Sequence, residues 1–270
     1  MWLALLTVAV FLWLDTFHLD LFRQVAGAWT GYPRLAALAV LAYGPQLLVT
    51  LGLAAALFGP RAAAAALGLG RAPGRALLLG LACTAPMALG LALHAPPALG
   101  PDTLPALVRS ALLPGFGEEL LYRGFLFGLL FRYAGWGFLP AALLAALLFG
   151  GAHLYQGGDP GEAAGIFALT ALGSLWFAWL YVEWDYDLWV PVALHVLMNA
   201  WWTLFPVADN ALGPLWTVGL RLVVMALSIG VTLAFVRRRG GRTVQGRRWW
   251  RGGRPSRAPA SAGGADDAAG

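Results

Sequence analysis

The chain has 270 residues, 60% of them hydrophobic and 11% charged, with a formal net charge of +5. Soluble domains carry about 25% charged residues, so this composition excludes an ordinary soluble protein and leaves room for several apolar spans of about 20 residues each. The single Cys83 lies in an apolar run, so there is no intrachain disulfide and no redox pair, and it reads as a small buried hydrophobe.

Met1–Leu14 is apolar, without a basic start or a small-residue cleavage site. It predicts an anchor helix, not a cleaved signal peptide, extended or interrupted around Asp15, His18 and Asp20. Spans follow at 35–58 and 76–94, separated by a loop with Arg61, Arg71 and Arg75. The proline-rich run 95–105 is the best internal boundary. A short helix at 106–113 then precedes a fourth span, 114–133, and a fifth, 138–154. After a polar turn at 156–162 comes a sixth, 163–182, ending in Glu183, Asp185 and Asp187, which read as a solvated turn. The seventh and eighth cover 188–205 and 215–236.

The expected fold is therefore all-α, a polytopic membrane protein of about eight transmembrane helices around a polar intramembrane cavity. It divides into N-terminal helices at 1–104, a core at 105–205, a last helix at 206–236 and a disordered tail at 237–270. Half of the arginines lie in that tail, which predicts a cytoplasmic C-terminus with the N-terminus on the same side. The tail also suits loose binding to anionic lipid, at about 1 kcal/mol per arginine; nucleic acid is not expected. The absence of lysine reads as GC-rich coding bias.

Glu118, Glu119 and Arg123 interrupt an otherwise apolar stretch, at a cost of about 2.5–3.5 kcal/mol each at bilayer depth. Such a cluster persists only where a helix faces protein or water. Glu119 and Arg123, four apart, share a helix face and can pair, whereas Glu118 points about 100° away with no local arginine. A carboxylate held from bulk water moves towards the range of a general base. His153 follows Phe149-Gly150-Gly151-Ala152, whose glycines allow close approach. His195 and Asn199, again four apart, project to one side of their helix. Each could be structural alone. Together they supply a free carboxylate, an imidazole and a His/Asn donor pair, an inventory for adding water to a carbonyl. Glu118 and His153 would activate the water. His195 and Asn199 would donate to the oxyanion, at about 2.7–4 kcal/mol per donor. No other carboxylate or histidine is expected deep within a span.

Glu-Glu-x-x-x-Arg at Glu118, Glu119 and Arg123, then Phe149 with His153, then His195 with Asn199, each on its own apolar segment, resembles the CAAX prenyl protease and bacteriocin-processing family. The resemblance covers roughly residues 105–205 and implies an eight-helix intramembrane endopeptidase with a peptide or protein substrate, in the inner (cytoplasmic) membrane of a bacterium. It implies Glu118 and His153 as water-activating groups and His195 and Asn199 as the oxyanion site, supported by Glu119, Arg123 and Phe149. Glu118, His153 and His195 could instead hold zinc with an open water position. HExxH is absent, and an asparagine beside the second histidine favours chemistry without a metal. The alternative is a non-catalytic bacteriocin-immunity or partner-binding membrane protein of the same fold.

Overall fold

The computed structural model describes residues 1–17 and 19–252; the expectations for His18 and for 253–270, Arg254 and Arg257 included, fall outside them. Nine helices of seven residues or more organise the described chain: α1 (Trp2–Phe17), α2 (Asp20–Ala26), α3 (residues 31–58), α4 (Gly74–Ala92), α5 (residues 103–132), α6 (Phe138–Ala152), α7 (Pro160–Glu183), α8 (Trp189–Leu204) and α9 (Leu215–Arg238). The fold is all-helical; the sole β-type contact among the described residues is an isolated bridge between Trp136 and Arg251.

Six helical stretches are long and apolar enough to cross a bilayer: Trp2–Ala26, Gly31–Phe58, Gly74–Ala92, Phe138–Gln156, Pro160–Glu183 and Leu215–Arg238. The protein is a polytopic membrane protein. Two of the eight expected spans are not in this set, for different reasons. α5 is long enough but carries Glu118, Glu119 and Arg123 in its apolar stretch; α8 has 16 residues.

The short helix expected at 106–113 and the span expected at 114–133 are one continuous helix, α5. Pro114 has no N–H to offer the preceding turn, and the helix absorbs this by widening into π turns at Val108–Leu112. α3 does the same at Ala39–Tyr43, just ahead of Pro45. A second π segment, Glu119–Phe127, begins directly after Glu118; such segments are frequent at functional sites.

The helix ends fall into two groups. At one end, Leu188 N donates to Gly68 O at 3.0 Å and Arg132 Nη1 to Ala66 O at 2.8 Å. At the other, Ala98 N donates to Leu204 O at 2.7 Å and Ala211 N to Gln156 Oε1 at 3.0 Å. The first group holds Arg61, Arg71, Arg75, Arg132 and the chain after α9. Phe11, Leu120, Leu121, Phe125, Leu126, Phe127 and Tyr181 form the core between them.

Two expectations at the arginine-rich end are corrected. Glu183 and Asp187 are buried, not solvated; only Asp185 is exposed. The tail is ordered over residues 237–252, because Glu183 captures it: Oε2 accepts from Thr243 N at 2.8 Å and Arg239 Nη2 at 3.0 Å, and Oε1 from Val244 N at 2.9 Å. Arg239 also pairs with Asp185, Arg248 Nη2 donates to the Tyr186 hydroxyl at 3.1 Å, and Trp249 meets Phe138 edge-on at 5.4 Å. Composition shows polarity and glycine there, but not a buried carboxylate waiting for main-chain amides.

Candidate active site

The site forms where α5 meets α8. A Cβ on Gly115 would stand 3.0 Å from the Cα and N of Val196, so glycine is what lets the two backbones approach. That contact sets His195 beside both glutamates. His195 Nδ1 lies 2.7 Å from Glu119 Oε1, which also accepts from Arg123 Nη1 at 2.9 Å. His195 Nε2 faces Glu118 Oε2 at 3.8 Å. The Glu119–Arg123 pair read from the four-residue spacing is present.

Neighbouring glutamates have opposite environments. Glu119 has no exposed surface, while the Glu118 side chain is 28% exposed. Aromatic rings seal the ion pair: the Arg123 guanidinium carbon sits 4.5 Å from the Phe149 ring centre and 5.5 Å from that of Phe177. Phe149 is the hub of the cluster. Its ring lies 4.5 Å from the His153 ring, 6.4 Å from the His195 ring and 4.9 Å, edge-on, from Tyr122. Gly150 packs against Phe167 of α7, the close approach expected of this glycine pair, while Gly151 faces open space.

Hydrogen-bond geometry constrains the protons. His153 Nδ1 lies 2.7 Å from the Phe149 carbonyl, which can only accept, so Nδ1 carries hydrogen and Nε2 of the neutral ring is a bare lone pair. His195 Nδ1–H likewise points at the Glu119 carboxylate. Its Nε2 can donate only when the ring is doubly protonated. The 3.8 Å between His195 Nε2 and Glu118 exceeds a direct hydrogen bond and is a separation at which water commonly bridges. Glu118 Oε2, Glu119 Oε2, and Arg123 Nε and Nη2 are buried without partners. Such groups cost about 1–3 kcal/mol each and in native proteins call for an explanation such as catalysis or an ordered water.

The structure thus brings Glu118, Glu119, Arg123 and His195 together directly, and His153 through Phe149. Asn199 is half-buried one turn beyond His195, its carbonyl accepting from Thr203 Oγ1 at 2.8 Å. The tethered Nδ1 atoms of both histidines would suit metal ligands. Among the described residues no three His, Cys, Asp or Glu side chains are grouped closely enough to hold a metal ion.

Sequence reasoning missed three neighbours. Asp15 reaches in from α1, its Oδ1 accepting from the Tyr122 hydroxyl at 2.6 Å, so a further carboxylate does serve the cluster. Its charge within an apolar helix was the available signal. Tyr43 and Gln46 of α3 pack against Gly117, the residue before Glu118; a lone amide after Pro45 was the faint sign.

No curated protein and no solved structure matches the chain. Residues 100–201 match the family model described as Type II CAAX prenyl endopeptidase Rce1-like. That segment contains Glu118, Glu119, Arg123, Phe149, His153, His195 and Asn199. Residues 100–201 are therefore a domain of the Rce1-like type II CAAX prenyl endopeptidases, a family of peptidases.

Proposed function

We propose that this protein is an intramembrane endopeptidase in which Glu118 is the general base. The observation carrying this is the contrast within the pair: Glu119 is consumed by Arg123 and His195, while Glu118 is solvent-touched, with an unpartnered oxygen facing His195. A water beside Glu118 loses a proton as the water oxygen bonds to the amide carbon; Glu118 receives it, and the bare Nε2 of His153 is a second acceptor for that same proton. Charge then develops on the carbonyl oxygen. His195 Nε2, in the doubly protonated form of the ring, and the Asn199 amide donate to it, in a role worth about 2.7–4 kcal/mol per donor. Collapse breaks the C–N bond, and Glu118 returns its proton to the leaving amine. Arg123 balances Glu119, and Phe149 holds both imidazoles in place.

No step of this reading passes through a metal; elemental analysis of purified protein with chelator treatment tests that part. The substrate is a peptide or protein, in keeping with the family. The arginine-rich end faces the cytoplasm of an inner membrane and meets anionic lipid. The reading is tested by comparing the membrane and secreted peptides of cells carrying wild type or Glu118→Gln. Glu118→Gln should insert normally and remove processing altogether. Undiminished processing would eliminate Glu118 as the base, and growth protection by Glu118→Gln without any cleavage would favour the immunity reading.

A further inference from the structure

The seam between α3 and α5 holds a polar group that lies outside residues 100–201 and outside the three motifs. A Cβ on Gly117 would run into the Tyr43 ring and stand 3.0 Å from Gln46 Oε1. Tyr43 and Gln46 are three residues apart on α3 and so share the face turned to Gly117. Tyr43 is an electrostatic neighbour of Glu118 and Tyr155, so the face that packs on Gly117 lies in the same neighbourhood as the base. Gln46 is 3% exposed, and its Oε1 is buried without a hydrogen-bond partner. Thr50 Oγ1, four residues on, is directed to the main-chain oxygens of Gln46 at 2.8 Å and Leu47 at 3.1 Å, not to the amide. Glu118 Oε2, on the residue after Gly117, is likewise a buried acceptor without a partner.

Two buried acceptors without donors, one against Gly117 and the other on the residue after it, are what a single water can satisfy, since it has two hydrogens to give. Leaving both unpaired costs about 1–3 kcal/mol each, and α3 has no packing need for an amide where an aliphatic side chain would fit.

We propose that Gln46 is a positioning residue for the nucleophilic water: Oε1 accepts one hydrogen while Glu118 removes the other. The retained hydrogen stays on the new C–OH oxygen, so Gln46 neither gains nor loses a proton. Its role is to fix the direction of the attacking lone pair. The proposal rests on Glu118 as base and goes beyond it, placing part of the site on α3.

The test uses full-length protein with Gln46→Met, which keeps length and volume but removes the acceptor, and Gln46→Leu as a second apolar replacement. The readouts are the rate of appearance of those peptides that wild type produces and Glu118→Gln does not, and the melting temperature in detergent. The expected result is a loss of rate of ~10²-fold, the scale of a misplaced reactant, with a melting temperature equal to or above wild type because volume is kept and an apolar side chain replaces a buried amide. A rate within twofold of wild type in either variant overturns the proposal while leaving Glu118 as base intact. A fall in rate that tracks a fall in melting temperature in both Gln46→Met and Gln46→Leu also overturns it, in favour of packing. If no peptide depends on Glu118, the base reading fails and takes this one with it.

Discussion

Two carboxylates in this protein, Glu119 and Glu183, are completely buried, and each is bonded to an arginine. Glu119 takes its arginine from the next turn of its own helix, at Arg123, and spends the same oxygen on His195. Glu183 takes Arg239 and two main-chain amides from a segment beyond the next two helices, and so ties the end of α9 to the end of α7. Equal burial therefore serves opposite ends. One carboxylate holds the His195 imidazole at the heart of the bundle, and the other fastens the chain at its arginine-rich rim. Burial alone does not identify a site; what the partner can do chemically does.

The sharpest way to break this contrast is Arg123→Met, which strands Glu119 in a sealed, aromatic-lined pocket. Removing one partner of a buried ion pair costs about 3–5 kcal/mol. Graded denaturant unfolding in detergent should register that loss, and processing should fall because Glu119, which holds His195, loses its counter-charge. An intact melting curve would show that water already reaches Glu119. Glu183→Gln should cost less, about 1–3 kcal/mol for one unmet buried partner. Its signature is faster hydrogen exchange at the Thr243 and Val244 amides and earlier proteolysis after Arg238, with processing retained. Loss of processing equal to that of Arg123→Met would erase the division between the two carboxylates.

The smallest effect is expected at Asp187, in the turn between α7 and α8. Burial, chiefly, raises its pKa above the ordinary carboxylate value, against the opposing pull of the Trp189 amide and of Arg71 and Arg75. A group whose pKa is raised by folding stabilises most below its unfolded pKa, and that stability is lost as pH rises through the folded value. Melting temperature should therefore decline across and just above the usual carboxylate range. Asp187→Asn, which keeps the acceptor for Trp189 N, should flatten that decline. A steeper slope in Asp187→Asn would contradict the sign.

Legibility in the sequence followed the range of the interaction. The Glu119–Arg123 pair is an i,i+4 contact, fixed by helical geometry as soon as the segment is helical, and so readable from spacing. The links of His195 to both glutamates, and of His153 to them through Phe149, follow motif order and a shared chemistry. Yet it is Gly115 against Val196 that decides which atom of His195 meets which oxygen. The assignment of His195 as a simple oxyanion donor did not foresee that its Nδ1 is held by Glu119. Asp15, Tyr43 and Gln46 were out of reach for the same reason. Each lies more than 70 residues before its partner in α5, on a helix whose own periodicity is plainly apolar. The break expected at Pro114 was misplaced because a π turn reroutes the lost hydrogen bond, which no residue-by-residue propensity encodes.

The sequence by itself determined that this is a helical membrane protein with a costly polar cluster on three of its helices. Apolar length and the energy of burying charge are properties of each segment taken alone. Tertiary structure decided which glutamate stays free, which nitrogen each histidine presents, and that the arginine-rich segment at 237–252 is bound and not loose. Those outcomes depend on donors and acceptors brought together from distant segments, where a few ångströms separate a hydrogen bond from an unpaired charge.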